Sequence, residues 1–368
     1  MDKQNGLGRI LILAIVSRIL ILATAYFLGG FFDNHTPLIE FIETFTRRWD
    51  GNSFSFIAEN GYVSQGEERV FIVFPPLYPI LIGLANVFVR NIEISGFIIS
   101  NVFFFVSVCL FYKLLKVDYS EKFSTSTVAL FIVFPTSYFF SVSYAESVFT
   151  AFLFGTFYLA RLGRLCQASL LAIALTLTKP FGALIWPCLL IESLVSKKRN
   201  LLLAVSIVTF AAFAVGIYLA INYSVFKDPF AFQKFLNQNW FKNPQLPTTG
   251  IINAWKRGLS GPWNHYRLLV GLAEAVTGTA AYLLLALGFL KKFRLRTSYY
   301  TYSLLGVLFF TSTGFVLSSP RYLLSVPFLF IFLNHLLINK ALMAIWIFLS
   351  LAALTYLTAT FALGRWAF

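Results

Sequence analysis

The chain has 368 residues, 58% of them hydrophobic and only 12% charged, with a mean hydropathy of +0.76. That balance excludes a soluble globular or disordered protein, and the apolar runs repeatedly approach or reach the roughly 20 residues that cross a bilayer. The net charge of +14 comes without any basic and aromatic nucleic-acid motif and reads instead as anchoring of cytoplasmic loops.

The first element spans 8–29, within "GLGRILILAIVSRILILATAYFLGG". It is too long for a signal-peptide core and lacks a small-residue exit, so it reads as a retained span. Arg18, midway along it, must face protein, water or lipid phosphate rather than hydrocarbon. Residues 30–94 form an external loop that holds Asp33, Glu40, Glu43, Asp50, Glu59, Glu67, Glu68 and Glu93, a majority of the 15 acidic residues. Within it, "LIEFIETFTRR" sets Leu38, Phe41, Ile42 and Phe45 on one face, the pattern of a short interfacial helix that delivers Trp49 and Asp50 to the membrane surface.

The apolar run 70–90 contains Pro75, Pro76 and Pro79 and reads as a bent or re-entrant helix. Counting it as a crossing would put Lys113, Lys116 and Lys122 outside and invert every later loop. The remaining spans are 95–115, 124–142, 144–161, 166–178, 181–196, 200–222, 266–290, 299–318, 322–338 and 341–363, with an external aromatic and basic loop at 223–265. This predicts an all-α integral membrane protein, one multispan domain over 1–368 with about 11 crossings. The short spans before "TKPFG" and after "SSPRY" are expected to tilt, kink or stop short, opening a cavity in the outer leaflet.

With the N-terminus inside, the cytoplasmic segments collect Lys3, Arg9, Lys113, Lys116, Lys122, Arg161, Arg164, Lys197, Lys198, Arg199, Lys291, Lys292, Arg294, Arg296 and Lys340. The short external turns carry only Lys179, Arg321 and Arg365, which makes these exceptions candidates for function. Cys109, Cys166 and Cys188 lie in or beside apolar runs without metal-ligand spacing, and His35, His265 and His335 are scattered, so neither a disulfide framework nor a zinc site is expected. No D-x-D pair is present, which disfavours a soluble nucleotide-sugar enzyme; whether a divalent metal is needed is left open.

In "RRWDGNSFSFIAENGY", Asp50 stands alone at the membrane edge. A carboxylate there can take the proton of a hydroxyl that attacks a sugar carbon. The same position also suits a helix N-cap. Gly51 permits a tight turn or close substrate approach, and Trp49 can stack on a sugar or anchor at the headgroups.

The stretch "RWDGNSFSFIAENGY" followed by "FPPLYPILI" resembles the PIG-V type mannosyltransferases, the bacterial and archaeal relatives of GPI mannosyltransferase 2. Further on, "SYAESVFTAFLFGTFYLA", "ALTLTKPFGALIWP" and "SPRYLLSVPFLFIF" are similar to the family's Glu-containing span, its T-[RK]-P-x-G segment and its P-R-Y segment. Pro75 stands where that family usually has phenylalanine, and Lys179 where arginine is commoner. The resemblance implies a GT-C type glycosyltransferase that uses a polyprenyl or dolichyl phosphate sugar, with Asp50 as base.

A lipid phosphate donor needs cations, and Lys179 in "TKP" and Arg321 in "SPRY" are suited to bind its phosphate, although both also fit cations snorkelling to headgroups. Glu146 can orient Lys179, bind acceptor, or simply stabilise a helix start. Arg47 and Arg48 flank the aspartate and suit phosphate or plain surface charge, while Tyr78 and Tyr322 can donate to sugar or phosphate oxygens or serve as belt aromatics. Trp240, Trp255 and Trp263 fit sugar stacking or membrane anchoring.

The expected function is transfer of a hexose, mannose by preference, to an external hydroxyl of a glycan, glycolipid or protein with inversion. The expected partners are that lipid donor, the acceptor and the bilayer, with no nucleic acid, in a cytoplasmic membrane with the site facing out. The alternatives are a lipid-linked sugar flippase or transporter, and a noncatalytic subunit of an envelope polysaccharide assembly complex.

Overall fold

The computed structural model describes residues 6–195, 201–293 and 295–368. Lys3, Lys197, Lys198, Arg199 and Arg294, and the ends of the spans expected at 181–196 and 200–222, lie outside the described residues. Among the described residues the regular structure is helical, with a single isolated bridge between Pro244 and Thr313. In chain order the helices are α1 Gly6–Leu28, α2 Leu38–Thr46, α3 Asp50–Asn60, α4 Leu77–Val89, α5 Ile92–Asp118 and α6 Glu121–Ile132, then α7 Glu146–Arg161, α8 Leu165–Thr176, α9 Ile185–Val195 and α10 Leu201–Phe226. They continue with α11 Ala231–Trp240, α12 Thr249–Leu259, α13 Glu274–Leu287, α14 Thr297–Thr311, α15 Ser319–Tyr322, α16 Leu329–Leu336 and α17 Lys340–Ala362.

Five segments are long and apolar enough to cross a membrane: α1, α5, α10, Arg267–Leu287 and α17. They show why the chain is apolar on more than one face. Ile12, Ile19, Val208, Phe213, Ile345 and Phe348 are exposed on their outer sides, as lipid-facing residues must be. The inner faces bury aromatic side chains, such as Phe111 stacked on Phe154 with ring centres 4.2 Å apart, and Tyr299 on Phe328 at 4.4 Å. Each of the other six expected crossings falls on a shorter or broken helix. The run 124–142 is α6, a break, and a 3-10 turn at Ser137–Phe140, while 322–338 is α15, a 3-10 turn at Leu323–Ser325, and α16. These inner elements are sheltered by the long helices, so Ser, Thr and Pro can interrupt them where neighbouring groups satisfy the freed backbone.

Arg18 illustrates that repair. Its guanidinium donates to Ser137 O at 3.0 Å and Ser141 Oγ at 2.9 Å, and lies 4.1 Å over the Phe104 ring. The mid-span cation thus faces protein, where it holds the break after α6.

The two ends of the bundle differ in charge and shape. One end gathers the start of α1, where Gly6 N donates to Glu121 Oε1 at 3.0 Å, together with the Arg161–Asp118 pair at 2.5 Å and the Arg296–Glu192 pair at 2.6 Å. Lys116 pairs with Glu121 there as well, at 3.4 Å. The opposite end carries 30–94, 223–265, and the breaks after α8 and α14.

At this second end the 3-10 turn Glu67–Val73 and α4 meet at 111°, a broken span or re-entrant loop. Pro75 and Pro76 fall at the bend, and Leu77 N donates to Leu177 O at 2.9 Å, tying "PPLYP" to the end of α8. The segment 223–265 is more ordered than its prolines imply, because it contains α11 and α12. Phe235 is buried in a cluster with Ile72, and Gly250 approaches Thr313 O so closely that an added Cβ would lie 2.4 Å away.

Native Cys166 is exposed at the start of α8, and Asn52 is exposed near the start of α3 at the other end. In sealed vesicles a membrane-impermeant maleimide should therefore label Cys166, in a Cys109→Ser/Cys188→Ser background, from the side opposite to that which labels an added Asn52→Cys in a cysteine-free background. Labelling of both from one side would overturn the two-ended arrangement.

Candidate active site

The loop from α2 to α3 is built around a close approach. A Cβ on Gly51 would fall 2.1 Å from Thr46 O, so the chain can fold back on the end of α2 only with glycine here. Trp49 precedes it at φ 52°, ψ −120°, a region that costs a bulky residue on the order of 1–3 kcal/mol. That kink starts α3 at Asp50. The aspartate is not the N-cap: Trp49 holds that place and no side chain caps the helix. The Asp50 N–H donates instead to Tyr144 Oη at 3.2 Å, and the Tyr144 hydroxyl donates to Arg48 O at 3.3 Å.

The Asp50 carboxylate meets Arg321, whose Nη1 donates to Oδ2 at 2.7 Å. Arg321 Nε reaches Glu146 Oε1 at 2.5 Å, and Lys179 Nζ donates to the same oxygen at 2.8 Å and to Ser325 Oγ at 3.0 Å. Four residues from the starts of α3 and α7, the turn after α8 and the short α15 thus form one chain of alternating charge. Aromatic rings enclose it. The guanidinium lies 4.5 Å from the Tyr144 ring centre and 4.8 Å from that of Phe139, and Lys179 Nζ lies 5.6 Å from that of Tyr322.

The cluster is graded in exposure. The Asp50 side chain is 25% accessible, whereas that of Glu146 is fully buried. Only the aspartate can both touch a cation and meet a ligand from solvent. Burial alone would push the Arg321 guanidinium down, but Glu146 and Asp50 outweigh it and hold the charge firmly on. At Lys179 burial prevails over the opposing pull of Glu146, and Arg321 adds to the downward shift.

The remaining candidates lie around the cluster. Tyr322 packs on Phe181, with ring centres 5.3 Å apart, and borders it. Trp49 is half-exposed beside Trp366 at 5.4 Å. Tyr78 is fully buried and bonded to Ser100 Oγ at 2.7 Å, which makes it a strut between α4 and α5. Arg48 donates to Ala362 O at 2.8 Å, tying the WDG loop to the end of α17, and Arg47 turns outward to Asn52 at 3.0 Å and Glu93 at 3.7 Å. Trp240 packs edge-on to Phe74, Trp255 donates to Thr279 Oγ1 at 3.1 Å, and Trp263 is exposed.

Three participants went unnoticed in the sequence. Tyr144 shelves both Asp50 and Arg321. Glu274, buried at the start of α13, accepts from the backbone of Ser318 at 2.5 Å and Ser319 at 2.6 Å, and so fixes the turn that presents Arg321. Lys242 lies 5.5 Å from the Tyr322 ring centre. A lone acid in the apolar run "GLAEAVTG" is the same signal that singled out Glu146 and would have found Glu274. No group of three or more His, Cys, Asp or Glu among the described residues is arranged to hold a metal ion.

Residues 38–184 match the family model described as mannosyltransferase (PIG-V), a region that includes Asp50, Glu146 and Lys179 and ends before Arg321. No curated protein and no solved structure gives a significant match. A multispan helical protein with this matched region is a membrane glycosyltransferase. Over those residues the chain is similar to the PIG-V type mannosyltransferases.

Glu146→Gln would leave the buried Lys179 without its carboxylate and Arg321 with Asp50 alone. It should lower stability by about 3–5 kcal/mol, read as a large drop in melting temperature in detergent. Gly51→Ala should cost about 1–3 kcal/mol through its clash with Thr46 O. An unchanged melting temperature in either variant would contradict the packing described.

Proposed function

We propose that the protein transfers a mannosyl unit from a polyprenyl-phosphate donor to a hydroxyl of a glycan, glycolipid or protein, with Asp50 as general base. The observation that carries this reading is the Arg321 bridge, in which one cation is shared between a solvent-accessible carboxylate and a buried one. The accessible acid suits proton transfer, and the buried one suits holding the cations in place.

Donor phosphate entering beside Arg321 competes with Asp50 for the guanidinium. The released carboxylate then accepts the proton of the incoming hydroxyl, whose oxygen attacks the anomeric carbon. The bond from that carbon to the phosphate oxygen breaks, and the polyprenyl phosphate leaves with the electron pair while Arg321 and Lys179 stabilise its charge. Direct displacement inverts the anomeric centre, so a β-linked donor gives an α-linked product.

The positive-inside bias supports an orientation in which the end carrying Lys116, Arg161 and Arg296 faces the cytoplasm and the cluster faces the far side of a cytoplasmic membrane. There a membrane-borne donor and a water-borne acceptor can meet. Arg18, the mid-span cation that a transport alternative would draw on, instead donates through Nη1 to Ser137 O and Ser141 Oγ.

Asp50→Asn should lower turnover from synthetic polyprenyl-phosphate mannose by roughly 100-fold. Donor KM should stay level or fall, because phosphate no longer competes with a carboxylate for Arg321. Retention of a large share of wild-type turnover at saturating donor would overturn the base assignment. Arg321→Ala should raise donor KM and lower kcat/KM by about 2–4 kcal/mol, with Arg321→Lys recovering part of the loss. A well-folded Arg321→Ala protein with unchanged donor kinetics would remove Arg321 from the site. Efficient transfer from a sugar nucleotide, with none from the lipid donor, would sink the donor assignment.

A further inference from the structure

Arg321 and Lys179 are both committed to Glu146, and Arg321 also to Asp50. Lys242 is not so committed. It follows α11, approaches Tyr322 at 5.5 Å, and makes one long bond, to Leu317 O at 3.4 Å. Among the described residues no carboxylate lies within ion-pair distance of it. Glu274, the acid whose field reaches it, is occupied by the Ser318 and Ser319 amides.

We propose that Lys242 is a further anchor for the donor's phosphodiester, reaching it from beside Tyr322. The assignment rests on the polyprenyl-phosphate reading above and adds to it a residue of the 223–265 loop.

Three observations carry it. The first is position: Lys179 Nζ and Lys242 Nζ lie 5.6 and 5.5 Å from the centre of the same Tyr322 ring, so Lys242 borders the ring that also borders the charged cluster. The second is charge. Asp50, Glu146 and Glu274 face Arg321, Lys179, Lys242 and Arg257, which leaves one positive charge in excess, the charge of one phosphodiester. The third is order, since Gln245 N donates to Ser312 O at 3.1 Å and Pro244 bridges Thr313, pinning the segment after Lys242 to the end of α14. Burial pushes the Lys242 ammonium down to about 8, with Glu274 opposing and Arg257 reinforcing, as expected for a cation whose anion is supplied by a ligand.

The test is steady-state transfer from synthetic polyprenyl-phosphate mannose in detergent by wild type, Lys242→Met, Lys242→Gln and Lys242→Arg, each checked by its melting temperature. Loss of one charge-assisted contact should raise donor KM roughly ten-fold or more in the Met and Gln variants. Turnover and acceptor KM should stay within about two-fold of wild type, because the anchor acts before the chemical step. Lys242→Arg should recover most of the donor affinity. Donor KM unchanged in both neutral variants, or a loss confined to turnover, overturns the assignment alone. A wild-type protein that ignores polyprenyl-phosphate mannose overturns the donor reading itself, and this assignment with it.

Discussion

A single guanidinium joins parts of the chain that sequence keeps far apart. Arg321 lies 271 positions from Asp50 and 175 from Glu146, yet donates to both. Water is scarce at this depth, so an unpaired charge would cost several kcal/mol. The three groups therefore constrain one another: the α2–α3 loop, the start of α7 and the short α15 must meet for any of the charges to be tolerated. Once that requirement is imposed, much local irregularity at this end has a cause. Gly51 lets the loop fold back, the strained Trp49 aims Asp50, and the breaks around α15 bring Arg321 inward.

Several contacts hold the guanidinium in place without sharing its charge. Glu274 fixes the amides of Ser318 and Ser319, Thr136 donates to Pro320 O at 2.9 Å, and Tyr302 donates to Ser325 O at 3.1 Å. These partners sit on α13, the turn after α6, and α14, so three separate elements clamp one short helix. The Tyr144 and Phe139 rings favour the cation while offering it no carboxylate. That distinction matters chemically. A cation held mainly by rings and one buried acid can exchange its second, accessible acid for a phosphate oxygen without leaving its place.

Much of this arrangement was legible because membrane sequences make charge conspicuous. Lys179 and Arg321 stood out as exceptions to the loop asymmetry, Glu146 as an acid at the head of an apolar run, and Asp50 through its company in the WDG motif. The apolar runs were legible, but of the eleven expected crossings only five fall on helices long enough to cross a membrane, the other six on shorter or broken ones. What stayed hidden was of two kinds. Tyr144 is one of 17 tyrosines in a chain that is 18% aromatic, and nothing local separates a shelf for an aspartate from ordinary packing. Helix breaks such as that after α6 were also hidden, because Arg18, which satisfies the freed groups, lies more than 100 residues away. The N-cap reading of Asp50 failed for a related reason, since its partner is distant while capping logic is local.

The cluster also shows why two carboxylates so close to the same cation need not be equivalent. Glu146 is fully buried and takes both Arg321 and Lys179 on a single oxygen, whereas Asp50 takes one cation and keeps part of its surface in solvent. Removing Glu146 strands the buried Lys179 and leaves Arg321 with Asp50 alone, while removing Asp50 leaves both cations their shared partner Glu146. Stability therefore falls mainly on the glutamate, and the aspartate is free to be used. The sheltered pairs fix where charge sits, and the exposed carboxylate at the end of the chain can change partners without unsettling the bundle.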